Sequence, residues 1–118
     1  MRYMLIHAID PTAEHSTEGM PAFDSWLEEM LARGVNLHGG YLAEPSDATT
    51  VQVRDREVLL TDGPFAETKE QIADYDVIEC ADLDEVIEIA SKHPTAWLGK
   101  IEVRPILGDR CGSPGEAG

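Results

Sequence analysis

The residues best suited to proton-transfer chemistry are concentrated in one short acidic segment, 62–70, of the 118-residue chain. Its charged members are Asp62, Glu67, Lys69 and Glu70. A lysine near carboxylates can shift the pKa values of both groups toward general acid–base catalysis. Glu67 or Asp62 would then be the base, and Lys69 would stabilise developing negative charge. The alternative interpretation is structural: Asp62 begins a tight turn, and the charges that follow lie in solvent.

Two histidines, His7 and His38, lie on predicted strands and are secondary catalytic candidates, because imidazole titrates near neutral pH. The alternative for each is a hydrogen-bonded structural role. Together with Asp10 they could hold a divalent metal, but no H-x-x-x-H or paired-cysteine spacing supports such a site. His93 lies at the end of a predicted helix, where its charged form would interact favourably with the helix dipole, and we expect it to be structural.

No motif for a bound cofactor is present. The chain has no G-x-G-x-x-G, no phosphate-binding P-loop and no G-x-S-x-G elbow, so nucleotide, dinucleotide and elbow-serine chemistry lack support. We therefore expect no cofactor and no metal, and a small polar molecule as the ligand.

The composition limits the partners and the location. With 23 acidic and 9 basic residues, the formal charge of −14 repels phosphate backbones and anionic lipids. No apolar run approaches the roughly 18 residues of a membrane helix, and the first residues lack the features of a signal peptide. The two cysteines, Cys80 and Cys111, form no disulfide framework. We predict a cytoplasmic protein that binds neither nucleic acid nor membranes.

The hydrophobic pattern predicts the elements that must position these residues. Alternating or continuous apolar runs indicate strands, and apolar residues spaced three and four apart indicate helices. Gly34 follows the first helix as a left-handed cap, and Asp82 with Glu85 forms a capping box at the second. In chain order we predict a strand over 2–8, a helix over 20–33, strands over 35–42, 49–54, 57–61 and 72–80, a helix over 83–92 and a strand over 100–106.

This order is a repeated split βαβ unit with a hairpin inserted in the middle, so we predict a ferredoxin-like α+β sandwich. The hairpin turn falls at Asp55-Arg56, and because Arg56 suits a primed turn poorly, a longer loop is the alternative. Each helix has one apolar stripe, so both should cover the same face of the antiparallel sheet. The other face needs a cover, and a second copy of the chain would supply it. Candidates to line that face are Tyr3, Trp26, Tyr41, Tyr75 and Trp97; the alternative for each is a position in the core or at its rim.

We expect one domain over residues 1–106. The last residues, 107–118, contain four glycines and few apolar groups, so they cannot bury enough surface to offset their ordering entropy. They are predicted to be a flexible tail.

The nine residues Asp62-Gly63-Pro64-Phe65-Ala66-Glu67-Thr68-Lys69-Glu70 resemble the DGPF group of the YCII-related family. The resemblance spans Met1 to about Ile106. It implies a ferredoxin-like monomer that pairs into a dimeric α/β barrel. Shorter matches are Tyr3-Met4-Leu5, Gly39-Gly40, Ala48-Thr49-Thr50-Val51, Asp82-Leu83-Asp84-Glu85 and Val103-Arg104-Pro105-Ile106.

The resemblance implies little about a reaction. Related members mostly have no assigned activity, and some occur beside or fused to extracytoplasmic-function sigma factors. Smaller members carry a histidine just after a Pro-Ala pair in the first helix, which is proposed to act with an aspartate in a cleft. Here Phe23 follows the matching Pro21-Ala22 pair, so that histidine is absent.

Two hypotheses for the function follow. The first is a cofactor-independent acid–base enzyme of lyase or isomerase type that acts on a small polar molecule in a dimer cleft. The second is a non-catalytic homodimeric module that binds a ligand or a partner protein such as a sigma factor.

Overall fold

A computed structural model describes residues 1–10, 14, 16–64 and 71–108 of the chain. Within these residues the predicted order of strands and helices is confirmed, with one short additional helix before the last strand. The elements are β1 (Arg2–Ile9), α1 (Phe23–Arg33), β2 (Asn36–Tyr41), a 3₁₀ turn (Pro45–Asp47), β3 (Thr49–Arg54), β4 (Glu57–Asp62), β5 (Gln71–Glu79), α2 (Leu83–Ser91), α3 (Thr95–Leu98) and β6 (Gly99–Ile106).

Four of the strands form one antiparallel sheet in the order β2-β5-β1-β6, and β3 and β4 pair separately as a hairpin. Strands that are adjacent in the sheet are distant in the sequence. The chain crosses over the sheet through α1 between β1 and β2, and through α2 and α3 between β5 and β6. This is the predicted ferredoxin-like α+β arrangement with an inserted hairpin. None of the helices in the described ranges is long and apolar enough to cross a membrane.

Local capping sets the ends of the two main helices. Gly34 has φ 67°, and its N–H bonds back to the carbonyls of the last turn of α1. At α2, the Asp82 carboxylate accepts from the N–H of Glu85 at 2.9 Å, and Glu85 accepts from the N–H of Ala81 at 2.9 Å. Both predicted caps are confirmed. Helix α1, however, begins at Phe23 rather than at Met20, and its first residue follows Pro21-Ala22.

The inserted hairpin has a two-residue turn. Arg54 pairs with Glu57, and both Asp55 (φ 50°) and Arg56 (φ 67°) lie in the left-handed region. This is the backbone of a primed turn, whose twist matches that of the strands, and it is adopted here without glycine. The longer loop considered from the sequence does not form.

One face of the sheet carries the core under the helices. Apolar residues of β1, β5, α1 and α2 fill it, and the Trp26 Nε1–H donates to the Ile89 carbonyl at 3.0 Å, which ties α1 to α2. Along β1 the side chains on this face change from apolar to polar at His7. The buried apolar residues are Tyr3, Leu5, Trp26, Met30, Ile78, Cys80, Val86, Ile89 and Ala90.

The opposite face of the sheet has no helix on it. By strand alternation it carries Met4, Ile6 and Val77, which remain partly exposed. Tyr75 lies on this face, as expected from the sequence. Tyr3 and Trp26, which were also candidates for it, instead lie in the core: Tyr3 alternates toward the helices along β1, and Trp26 is on the buried side of α1.

Candidate functional site

The polar end of the core is a cluster of four buried titratable side chains. His7 is 0% exposed, Asp74 9%, Asp76 7% and His93 2%. His7 is on β1, the two aspartates alternate along the neighbouring β5, and His93 lies between α2 and α3. Buried titratable groups at such density are frequent at functional sites, because burial and mutual charge shift their pKa values.

Asp76 joins three strands through its carboxylate. Its Oδ2 lies 2.8 Å from His7 Nε2, and its Oδ1 accepts a 3.1 Å hydrogen bond from the Asn36 side-chain amide. An ionised carboxylate only accepts hydrogen bonds, so His7 Nε2 must be the donor. The Nδ1 atom of a neutral His7 is therefore left as an acceptor.

Asp74 lies in a different environment from Asp76. Its Oδ1 is 3.8 Å from His7 Nδ1, which is beyond hydrogen-bond distance. Burial raises the pKa of the Asp74 carboxyl; the nearby His7 opposes this rise, and Asp76 adds to it. Two adjacent carboxyl groups with different surroundings can take different roles, one as a proton carrier and one as a fixed acceptor.

His93 is held as a neutral ring inside an aromatic shell. Its ring centroid lies 4.2 Å from that of His7, 4.6 Å from Trp26 and 5.6 Å from Phe23. Burial lowers the pKa of His93 to about 4; the neighbouring His7 adds to this effect, and Asp76 opposes it. Its Nδ1 accepts the Thr95 backbone N–H at 3.0 Å, so in the neutral ring the proton is on Nε2.

The two carboxyl groups reach a cavity of about 240 Å³ between α1 and the edge of the sheet. Pockets that hold drug-sized ligands measure about 300–1,000 Å³, so this smaller cavity suits a molecule below that size. Helix α1 gives the cavity an apolar wall, and the strands give it a polar wall. The lining residues are Phe23, Leu27, Asn36, Gly39, Gly40, Tyr41, Asp74, Tyr75 and Asp76.

Gly39 is required by the close approach of the Asp76 carboxylate. A Cβ atom at this position would lie 2.3 Å from Asp76 Oδ1 and 3.3 Å from the Tyr75 carbonyl oxygen. The absence of a side chain at Gly39 therefore gives the Asp76 carboxylate its space.

The catalytic candidates from the sequence are not brought together in the described part of the chain. His7 is in the cluster, whereas His38 is exposed on the opposite face of the sheet, with its Nδ1 2.9 Å from the Tyr75 hydroxyl. The metal group of His7, His38 and Asp10 therefore does not form. Asp62 is exposed at the end of the hairpin strand β4, and Glu67 and Lys69 lie outside the described residues.

The sequence did not identify three members of the cluster, Asp74, Asp76 and His93, as site residues. It also did not identify Asn36, which donates a hydrogen bond to Asp76. The available signal was the pair of aspartates two apart within one predicted strand, a spacing that places both on the same face of the sheet. The expectation that a charged His93 serves its helix end is wrong, because the ring is buried and its pKa is lowered.

The protein is an α+β protein with a ferredoxin-like sheet, and it has a buried histidine–aspartate cluster beside a small cavity. The chain belongs to the YCII-related domain family, whose model matches residues 1–108. It is also similar to an uncharacterised protein of Rhizobium meliloti (strain 1021), with 40% identity over 67 residues. That alignment covers 55% of this chain and 54% of the relative, so the match spans about half of the relative's length.

Replacing Gly39 with alanine is expected to displace Asp76 and to break its bonds to His7 and Asn36. A buried group left unsatisfied costs about 1–3 kcal/mol, and we expect a loss of stability of that size in urea unfolding. Gly40→Ala is the matched control, since its Cβ would meet only the Tyr75 ring, at 3.2 Å. Equal stability losses for the two variants would contradict this account of Gly39.

The depressed pKa of His93 makes stability depend on pH. Between its ordinary value of 6.5 and about 4, the unfolded chain binds a proton that the folded chain does not, so stability falls as pH decreases through this window. The full effect is about 3 kcal/mol.

The measurement is urea unfolding of wild type and His93→Phe from pH 7 to pH 4. Wild type should lose more stability than the variant, because only wild type must keep His93 neutral. His7, Asp74 and Asp76 face the ring in both proteins, so their own titrations largely cancel in the difference. Parallel pH curves would show that His93 is not the responsible group.

Proposed function

We propose that this protein is a cofactor-independent acid–base enzyme, of lyase or isomerase type, that acts on a small polar molecule in the cavity beside α1. The observation that supports this proposal is the pair of carboxyl groups, Asp74 and Asp76, which are almost fully buried and yet line the same cavity. Paired carboxyl groups in unlike environments are a recurrent arrangement for proton transfer in enzymes.

Asp74 is the proton carrier in this proposal. Its pKa is raised by burial, which brings proton uptake and release closer to neutral pH, where acid–base catalysis is most efficient. Asp76 is the fixed partner, since both its oxygens already accept hydrogen bonds from His7 and Asn36. Its carboxylate is part of the cavity wall, where it would stabilise positive charge on the bound molecule.

The cavity wall restricts the substrate. Two carboxyl groups and a chain charge of −14 disfavour an anionic ligand, so a neutral or cationic molecule fits best. Phe23 and Leu27 offer apolar contact on the opposite side. Phe23 occupies the position where the resemblance implies a histidine in smaller members of the family. In this chain His7 on β1 supplies an imidazole behind the carboxyl groups instead.

The test uses deuterium exchange, because an enzyme that removes and returns a proton introduces deuterium from D₂O into its substrate. Panels of small neutral and cationic polar compounds are incubated with the full chain and followed by NMR. For a compound that exchanges, Asp74→Asn should reduce the rate about 100-fold or more while leaving its affinity similar. Asp84→Asn, an exposed carboxylate on α2, is the matched control and should retain the rate.

An unchanged exchange rate in Asp74→Asn would remove Asp74 from the mechanism. Saturable binding of a compound without exchange or turnover in wild type would instead favour the second candidate function, a non-catalytic binding module.

We also propose that the chain is a homodimer. Support comes from the sheet face that no helix covers, where Met4, Ile6 and Val77 are only partly buried. The hairpin adds exposed apolar side chains, including Val51 and Leu60. Burying such surface favours association, and a second copy is the simplest cover. This surface equally suits the binding-module function, whose partner, such as a sigma factor, would use the same exposed face.

Size-exclusion chromatography with light scattering should give twice the 13.0 kDa chain mass at micromolar concentration. Val77→Lys, which places a charge at the centre of the uncovered face, should shift the mass toward that of the monomer. A wild-type chain that is monomeric at this concentration would contradict the dimer proposal.

A further inference from the structure

Three buried polar atoms in the cluster have no hydrogen-bond partner among the described residues: His7 Nδ1, Asp74 Oδ1 and His93 Nε2. His7 Nδ1 lies 3.8 Å from Asp74 Oδ1. One ligand atom from each of His7, Asp74 and His93 lies within 4.8 Å of the other two. Leaving a buried donor or acceptor unsatisfied costs about 1–3 kcal/mol, so three in one place indicate a site for a small polar group.

The hydrogen bonds behind the two rings set the polarity of this site. Because His7 Nε2 donates to Asp76, the His7 Nδ1 atom presents a lone pair. Because His93 Nδ1 accepts from the Thr95 N–H, the His93 Nε2 atom presents a hydrogen. Asp74 Oδ1 accepts when ionised, and the same carboxyl group donates when protonated. The site therefore offers one fixed donor, one fixed acceptor and one group that can be either.

Two histidines and a carboxylate are also a common metal-ligand set. A metal at this position would need the lone pair of His93 Nε2, and the remaining Nδ1 would then have to carry a hydrogen. In this structure the Thr95 N–H is directed at that Nδ1 from 3.0 Å, so the two hydrogens would collide. The tautomer of His93 therefore favours a water molecule over a metal ion.

We propose that His7 Nδ1, Asp74 Oδ1 and His93 Nε2 bind one buried water molecule, which relays protons between Asp74 and His7. The proposal rests on the proposed function, in which Asp74 exchanges a proton with the substrate. A water needs two to four polar partners in a buried site, and these three atoms supply an acceptor, a donor and a group of either kind.

The relay conserves atoms and charge. The carboxyl O–H of Asp74 breaks as its proton passes to the water oxygen, and a second O–H of the same water breaks as its proton passes to His7 Nδ1. The products are an Asp74 carboxylate, a water molecule and a His7 imidazolium, which the Asp76 carboxylate stabilises from 2.8 Å. The reverse sequence reloads Asp74.

The relay explains how His7 can take part although it is 0% exposed and does not line the cavity. Asp74 and Asp76 line the cavity and also lie beside the His7 ring. His7 and His93 are thus positioning and relay residues, and Asp74 is the group that meets the substrate.

The first test needs no substrate and uses the wild-type full chain. Nitrogen-15 NMR of the imidazole rings should show a hydrogen on His93 Nε2 and, in neutral His7, a hydrogen on Nε2. Nuclear Overhauser cross-peaks at the water frequency should reach the His93 Nε2–H with the sign of a long-lived bound water. His38→Gln removes a histidine on the other face of the sheet and should leave these signals unchanged, which secures their assignment.

The opposite results overturn the proposal. A His93 ring with its hydrogen on Nδ1, or an absent water cross-peak, would mean that the site does not hold water in this way. Titration with Zn²⁺ gives a further check: stoichiometric binding that shifts the ring nitrogens of both His7 and His93 would assign the site to a metal.

The second test separates the relay from the proposed function. Once an exchanging compound is known, His93→Phe should slow deuterium exchange about 100-fold by removing the donor that holds the water, and His93→Gln, whose amide can donate, should restore most of the rate. An unchanged rate in His93→Phe, with Asp74→Asn inactive, would overturn the relay and leave the proposed function standing. Unchanged exchange in Asp74→Asn would overturn both, because the relay needs the Asp74 proton.

Discussion

The candidate site depends on one interaction, the buried Asp76 carboxylate between His7 and Asn36. A carboxylate this far from water is tolerated only when its oxygens are hydrogen-bonded, and here one oxygen is bonded to β1 and the other to β2. The missing side chain of Gly39 provides the space. The bond to Asp76 also determines which nitrogen of His7 carries the hydrogen. The other ring nitrogen, Nδ1, is therefore a hydrogen-bond acceptor when the ring is neutral.

The same sheet face serves two purposes along its length. At one end, Leu5 and Ile78 are completely buried against the helices, and the bond from Trp26 to the Ile89 carbonyl holds the two helices together. At the other end the positions in line with them are His7 and Asp74. Burying polar groups at this density lowers stability, and the apolar end must offset that cost. A local departure from good packing of this kind is expected where a fold carries a functional site.

Local chemistry made most of the fold predictable from the sequence. The box at Asp82 and the cap at Gly34 depend on residues within one turn, and the hairpin depends on adjacent strands. The site was less predictable, because it depends on register. His7 lies on β1 and His38 on β2, and their residue type alone does not distinguish them. Strand alternation places His7 under the helices and His38 on the open face. The role of His93 depends on the turn after α2, which no periodicity describes.

In the proposed mechanism, the residues that line the cavity contact the ligand, and the buried rings behind them influence the lining carboxyl groups. Phe23 lines the cavity and also contacts the His93 ring, so an apolar side chain lies between the ligand space and the buried imidazole. A polar side chain at position 23 would instead admit water to both. Excluding water lowers the local dielectric constant, which strengthens the attraction between Asp76 and a protonated His7 and increases the influence of each ring on Asp74. A phenylalanine at the position where the resemblance implies a histidine is therefore compatible with the proposed acid–base chemistry, because an apolar side chain there would strengthen the electrostatic effect of the buried histidine–aspartate pair on Asp74.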